Sequence, residues 1–316
     1  MLIAGLLAAA LPDAGMADPA ELVATLRARN AEVLKLDDWV PGEPSTAVLN
    51  PGSEGIEKTG PWRMGVGPMT VEIAMRKRKD GKETAQTPVL TLTVAGKVAG
   101  RITGEETYYD FPAFAAQIVE MDPSNPYPEV LFSSYTGGAH CCSVTSILTS
   151  TQDGRGWRVV EAGTFDGSPI RAEDADHDGR FEIAEWDNRF LYAFGCYACS
   201  NAPLKIERLA DTRMVDVSRD PAFRERQRQH LKSMVQRATA DMDVNSYLGG
   251  YVAQKILLGE GEEAIALMRE HHDSSGGFDY ESCTVSLDRD GNCKGEMQKL
   301  DFPEALMRFL KENGYN

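Results

Sequence analysis

Apart from an apolar run of about ten residues at its start, the chain has no hydrophobic stretch long enough to cross a bilayer. It has no Gly-x-Ser-x-Gly, no His-Glu-x-x-His and no nucleotide fingerprint, so the chemistries those motifs carry have no visible foothold. Gly137-Gly138 is followed by neither a lysine nor a helix start, which excludes a phosphate cradle. Basic residues are in deficit: 33 Lys and Arg stand against 48 Asp and Glu, a formal net charge of -15 over 316 residues. A field of that sign repels phosphate and argues against sequence-independent binding to nucleic acid or anionic lipid. It suits cationic partners, divalent metal included. Histidine is scarce, with five in the chain. His271 and His272, beside Asp273 at a predicted helix end, read as surface residues, and His230 lies on a charged helix face.

What is present begins with an export signal. In "MLIAGLLAAALPDAGMADPAE" the apolar run is followed by Gly15 and Ala17, small residues suited to the -3 and -1 positions before Asp18. No charged side chain precedes Leu11, so a positive n-region is missing. The stretch predicts a signal peptide over 1–17, cleaved near Ala17/Asp18, and a periplasmic or secreted protein. Six cysteines, an even number, fit an oxidising compartment.

Composition then divides the chain. Asp18, Pro19 and Glu21 form an N-terminal cap, and Leu22, Leu26 and Val33 share a face, which predicts a helix over 19–35. A Pro/Gly/Ser-rich linker completes a first segment, 18–62. Over 63–219 the apolar period is two, as in Met69, Val71, Ile73, Met75 and in Leu90, Leu92, Val94, with further short strands between turn signals. Past residue 219 the period is helical: Asp220 caps one helix, a helical hairpin turns at Gly259–Gly261, and a last helix runs from Asp301 to a stop at Asn313-Gly314. The fold class expected is α+β: an antiparallel β-rich region followed by an α-helical region over 220–316. The first of these helices carries Arg224, Arg226, Arg228, Lys232 and Arg237, a basic face that packing against the acidic remainder explains as well as a partner.

A faint repeat runs through the β region. Two segments share the order strand, acidic loop, Glu, strand, cysteine pair, with Glu129 and Glu182 53 residues apart and Cys142 and Cys196 54 apart. A period near 50 residues is what radial β-sheet repeats show, and two units are too few to close a ring, so a partial or degenerate propeller is expected. The second acidic loop, "DADHDGRFEI", places Asp174, Asp176 and Asp178 on alternate positions, then Gly179, then Glu182 at position nine. Alternate carboxylates and a glycine at a sharp turn are what a hard, oxygen-seeking cation such as Ca2+ requires. The candidate ligands are Asp174, Asp176, Asp178, the Arg180 carbonyl and Glu182. Closure at position nine and the strand that follows exclude an EF-hand.

That loop resembles the calcium loops of FG-GAP/VCBS repeat proteins, the family of integrin α-like β-propellers. "PEVLFSSYTGGAHCCS" with "NRFLYAFGCYACSNAPL" further resembles a group of exported bacterial proteins carrying such repeats. The resemblance covers about residues 113–219 and implies a fold and a cation site but no activity. In the first repeat the loop from Asp122 to Glu129 has Asn125 and Pro126 where the second has Asp178 and Gly179, so it is expected to be metal-free. "LDRDGNCKG" lacks a closing carboxylate, and its Asp290-Gly291 reads as a hairpin turn.

The cysteines leave alternatives open. Cys283 and Cys293 bracket that turn and suit a disulfide. Cys141, Cys142, Cys196 and Cys199 are expected to cross-link neighbouring loops, against a redox Cys-x-x-Cys or, with His140, a zinc or copper site. Three functional readings follow. The leading one is a non-catalytic, calcium-stabilised envelope module that meets a protein or glycan partner. The others are a hydrolase with a dispersed acid pair such as Asp166 and Asp187, and a thiol or transition-metal protein.

Overall fold

Strict alternation over Met69–Asp80 and Glu83–Val94 buries Met69, Val71, Ile73, Leu90 and Leu92 on one face while Thr70, Ala74 and Arg76 stay exposed. Such a half-buried pattern demands an antiparallel sheet with a covering layer. The computed structural model describes residues 18–41, 48–49, 60–80, 83–108, 113–138, 141–275, 280–286, 288–289 and 292–315. The expected signal peptide, much of the linker, His140 and the Asp290-Gly291 turn lie outside them.

The chain divides into two compact units, each entered more than once. A β unit takes residues 36–189 and 203–230, and a helical unit takes residues up to 35, 190–202 and 231 onward. The change from strand to helix near residue 219 is therefore a change of local structure inside one unit.

In the β unit, β1 (Val48–Leu49), β2 (Trp62–Val66), β3 (Met69–Asp80), β4 (Glu83–Val94) and β5 (Lys97–Thr103) are followed by β6 (Phe114–Val119), β7 (Glu129–Tyr135), β8 (Ser143–Ser150) and β9 (Trp157–Phe165). The last three are β10 (Ile183–Trp186), β11 (Leu204–Ala210) and β12 (Arg213–Asp216). They form a four-stranded sheet β2-β3-β4-β5, a five-stranded sheet β1-β6-β7-β8-β9 and a three-stranded sheet β10-β11-β12. Every pairing among these strands is antiparallel and, apart from β1 with β6, joins strands consecutive in the chain.

Packing sets the sheets in succession. Val71, Ile73, Leu90 and Leu92 meet Phe114, Ile118, Phe132 and Leu148 across the first gap. Leu131, Ile147 and Val160 meet Ile170, Phe181, Ile183 and Leu209 across the second. The outer face of the three-stranded sheet, through Leu204 and Ile206, is covered by Phe223. β7 is thus buried on both faces, with Val130, Leu131 and Phe132 in succession and its Ser133 and Ser134 buried as well. Buried polar side chains pin the second gap: Gln117 accepts from the Ala172 amide at 2.7 Å and donates to its carbonyl at 3.1 Å. Among the described residues the sheets close into neither a barrel nor a propeller.

The helical unit contains α1 (Pro19–Arg29), the C-terminal part of α2 (Arg224–Arg237), α3 (Val244–Leu257), α4 (Gly261–His271), the hairpin β13 (Tyr280–Cys283) and β14 (Met297–Leu300), and α5 (Phe302–Glu312). α1 is shorter than predicted because Asn30 caps it, its side chain donating to the Leu26 carbonyl and the Tyr251 hydroxyl. Gly259 takes a φ of 77° between α3 and α4, the left-handed turn expected of that hairpin. Residues 190–202 contribute Phe190 and Phe194, whose rings pack edge-on against Phe309 at 4.9 and 5.1 Å. His271, in this unit, is 7% exposed and so is not the surface residue expected, while His230, in the β unit, is buried with its ring against Trp186. Among the described residues no helix is long and apolar enough to cross a membrane.

Phe132, at 1% exposure between two sheets, is the sharpest test of this layering. Phe132→Ala is expected to lower unfolding free energy by about 3–5 kcal/mol in chemical denaturation, and Val159→Ala on the open face of β9 by less than about 0.5 kcal/mol.

Candidate functional site

The acidic loop lies in the β unit between β9 and β10. It is closed by two backbone bonds, Glu173 amide to Glu182 carbonyl at 2.9 Å and the reverse at 2.8 Å. Inside it Asp174 accepts from the Asp178 amide at 3.0 Å and the Gly179 amide at 3.1 Å, the side chain folding the loop around itself. Gly179 has a φ of 86°, where a Cβ brings strain, as the sharp turn in the sequence required. Glu182 is fully buried at the head of β10 and accepts from the Ala175 amide at 3.2 Å.

Oxygens of Asp174, Asp176 and Glu182 lie within 4.8 Å of one another. Three of the five candidate ligands therefore converge. Asp178 is more exposed and accepts from the Arg180 amide at 2.8 Å. The Arg180 side chain acts elsewhere. Its guanidinium donates to the carbonyls of Met121, at 2.6 Å, and Leu209, tying the loop to the neighbouring sheet and to β11.

A cation that sequence reasoning missed stands in the cluster. Arg208, on β11, bonds Glu182 at 2.7 Å through Nε and Asp176 at 3.1 Å, and lies 3.6 Å from Asp178. Its far side covers the Phe223 ring at 5.1 Å. In "LKIERLA", Leu204, Ile206 and Arg208 share a face, and a lone arginine on an apolar face is a signal that a buried anion lies opposite. Burial pushes Glu182 up to about 7 against the pull of Arg208. Burial and the nearby Asp178 charge raise Asp176 as well. Arg208 moves up, because the carboxylates around it outweigh the burial that opposes its charge.

The earlier repeat shows what this position demands. Glu129 heads β7 as Glu182 leads into β10, is likewise fully buried, and burial pushes it up to about 7. One of its oxygens accepts from the Met121 and Asp122 amides at 2.8 and 3.0 Å, the other from Asn125 at 2.7 Å and Thr149 at 2.9 Å. Register makes the parallel exact in topology. Val130 pairs with Leu148 as Ile183 pairs with Glu207, so Thr149 on β8 and Arg208 on β11 occupy the same place opposite the buried glutamate. Neutral donors fill the first loop and a cation the second.

Asp166 and Asp187 do not line a common cavity among the described residues. Asp187 is buried and held by its neighbour Arg189 at 2.8 Å, while Asp166 lines a cavity of which Asp187 is no part. Two disulfides form within their own motifs, Cys196 with Cys199 and Cys283 with Cys293, while Cys141 and Cys142 stand side by side. The expected cross-link between the two motifs is thereby corrected. A 3-10 turn at Tyr197–Cys199 brings the Cys196 and Cys199 Cα atoms to 5.0 Å, inside the span a local bridge needs. The Cys196–Cys199 pairing takes both sulfurs of that motif away from a zinc or copper site shared with Cys141 and Cys142.

Residues 223–314 match the model of the sll0997 C-terminal domain. Over 253 residues the chain is 38% identical to the probable thylakoid lumen protein sll0997 of a Synechocystis species, covering 79% of this chain and 74% of that protein. Over 234 residues it is 36% identical to the uncharacterized protein y4bJ of Sinorhizobium fredii, covering 72% of this chain and 37% of that protein. No solved structure matches.

Removing Arg208 isolates the electrostatics. Arg208→Met without added metal is expected to cost about 3–5 kcal/mol at pH 8, because a buried carboxylate loses its counter-charge. Glu182 has a folded pKa raised to about 7 above an ordinary 4.5, so its contribution is full below 4.5 and is lost as pH rises through 7. The variant's deficit, followed by denaturation at several pH values, should therefore shrink from pH 8 to pH 5.

Proposed function

The chain belongs to the family of the probable thylakoid lumen protein sll0997, and from that premise we propose that it is an exported, non-catalytic protein whose loop Asp174–Glu182 binds calcium as a structural ion. One observation carries the reading: carboxylate oxygens of Asp174, Asp176 and Glu182 converge within 4.8 Å, Asp174 and Glu182 being buried. The donor set fits a hard cation, being all carboxylate oxygen and set on a loop folded by its own amides. Asp174, Asp176, Asp178 and Glu182 bring four negative charges, and Arg208 returns one. The guanidinium stands where positive charge is needed and leaves most of the excess unbalanced. When bound, the ion supplies that balance, and Arg208 is left to the glutamate or to the Phe223 face.

Export is supported by the predicted signal peptide, by the Cys196–Cys199 and Cys283–Cys293 disulfides and by the lumen location in the relative's name. The matched meanders β6 to β9 and β10 to β12 support reading them as degenerate blades of the FG-GAP/VCBS type, with the ion fastening the second. The role we propose is that of a structural or interaction module that meets a protein or glycan in its compartment.

Calorimetric titration of calcium into chelator-treated protein, with melting followed in parallel, tests the ion. Saturable heat is expected, with stabilisation of about 2.7 kcal/mol at a hundredfold excess over Kd. Asp174→Asn should abolish both, whereas Asn125→Ala in the first loop should leave the calcium response intact. Absence of heat together with an unmoved melting temperature returns the loop to an arginine-neutralised acidic turn.

A further inference from the structure

At the edge of β10, away from the carboxylate cluster, the β unit has a cavity of about 510 Å³. Its walls come from the segment before the acidic loop, from β10 and β11 and from the start of α2. Such a volume suits a small molecule and is too small for a folded partner.

The charges around it do not cancel internally. Arg226 is committed: Nε bonds Glu173 at 2.5 Å, and its guanidinium lies over the Trp39 ring at 5.5 Å. Asp166 and His230 also line the cavity and have interactions of their own, which leaves two groups of opposite sign. Glu185 has neither a hydrogen bond nor an ion pair among the described residues, and its cross-strand neighbour Lys205 is taken by Glu207 at 2.8 Å. Arg171, exposed, is likewise without a partner among them. Trp186, half-buried, also lines the cavity and is its large apolar side chain. A carboxylate accepts only, a guanidinium donates only, and an indole offers a flat apolar face.

We infer that this cavity binds a free amino acid as its zwitterion, the ammonium on Glu185, the carboxylate on Arg171 and the side chain along Trp186. A monovalent amine leaves Arg171 open, a monovalent acid leaves Glu185 open, and the zwitterion satisfies both while adding no net charge to an acidic protein. Burial and the Glu173 charge push the Glu185 carboxyl up to about 7 against the pull of Arg226, and no hydrogen bond reaches it among the described residues. A ligand ammonium is the donor it lacks. The site shares no ligand with the calcium loop, and the two proposals stand or fall separately.

The test titrates the full chain with the proteinogenic L-amino acids one at a time, following tryptophan fluorescence and heat, with chelator and again with calcium. For the tightest binder the deaminated acid and the decarboxylated amine are titrated too. At least one amino acid is expected to saturate, each truncated analogue to bind roughly tenfold or more weakly, and Glu185→Gln and Arg171→Gln each to cause a similar loss, about 1.4 kcal/mol. Glu185→Gln should fold with an undiminished melting temperature, since it removes a half-buried charge and no bond. Failure of every amino acid to bind, with chelator and with calcium alike, overturns the inference. So does binding that the deaminated acid matches, or that both variants leave intact.

Discussion

A carboxylate fixed at the head of a strand inside stacked sheets must be met by donors, or the layers around it will not hold its charge. Glu129 and Glu182 both stand in that position, and the surroundings of each are arranged to answer it. Backbone amides of the preceding loop serve one oxygen in both cases. The other oxygen is served from the next strand over, by Thr149 in one repeat and Arg208 in the other. Loop length, the left-handed Gly179 and the choice of residue on the neighbouring strand all follow from that requirement.

The two repeats differ in what surrounds the same demand. In the first, the Asn125 amide and the Thr149 hydroxyl complete the glutamate with neutral groups, and the face is covered by the next sheet through Leu131 and Ile147. In the second, three further aspartates crowd the loop and the face is covered by Phe223 at the entry to α2. Extra anions with one arginine between them are a poor solution for a structural turn. They are a good one for a loop that meets a divalent ion, and that contrast between duplicated positions gives the calcium proposal its physical weight.

Much of this was legible in the residues. Period-two alternation located β3 and β4, and Asp220 and Asp301 marked helix starts by accepting from amides two and three residues on. The 53-residue repeat emerged from the order of Glu, strand and cysteines. What stayed hidden depends on three-dimensional neighbours. Trp62–Val66 and Lys97–Thr103 are edge strands of the four-stranded sheet with much exposed backbone pattern, and their sequences show little alternation. Arg208 is distant from the loop in sequence and reaches it only through the β10-β11 pairing. The Cys196–Cys199 pairing, local and not between motifs, could not be read from spacing that allowed either. Return of residues 190–202 to the helical unit likewise has no local signal.

Carbon-detected NMR of the side-chain carboxyls during calcium addition probes the proposed ion at the atoms themselves. The expected result is a saturable shift of the Asp174, Asp176 and Glu182 carboxyl carbons while Glu129, its counterpart in the earlier repeat, stays fixed. Carboxyls of the loop that remain still as calcium is added, or a Glu129 that moves together with them, would contradict a specific ion held at the head of β10.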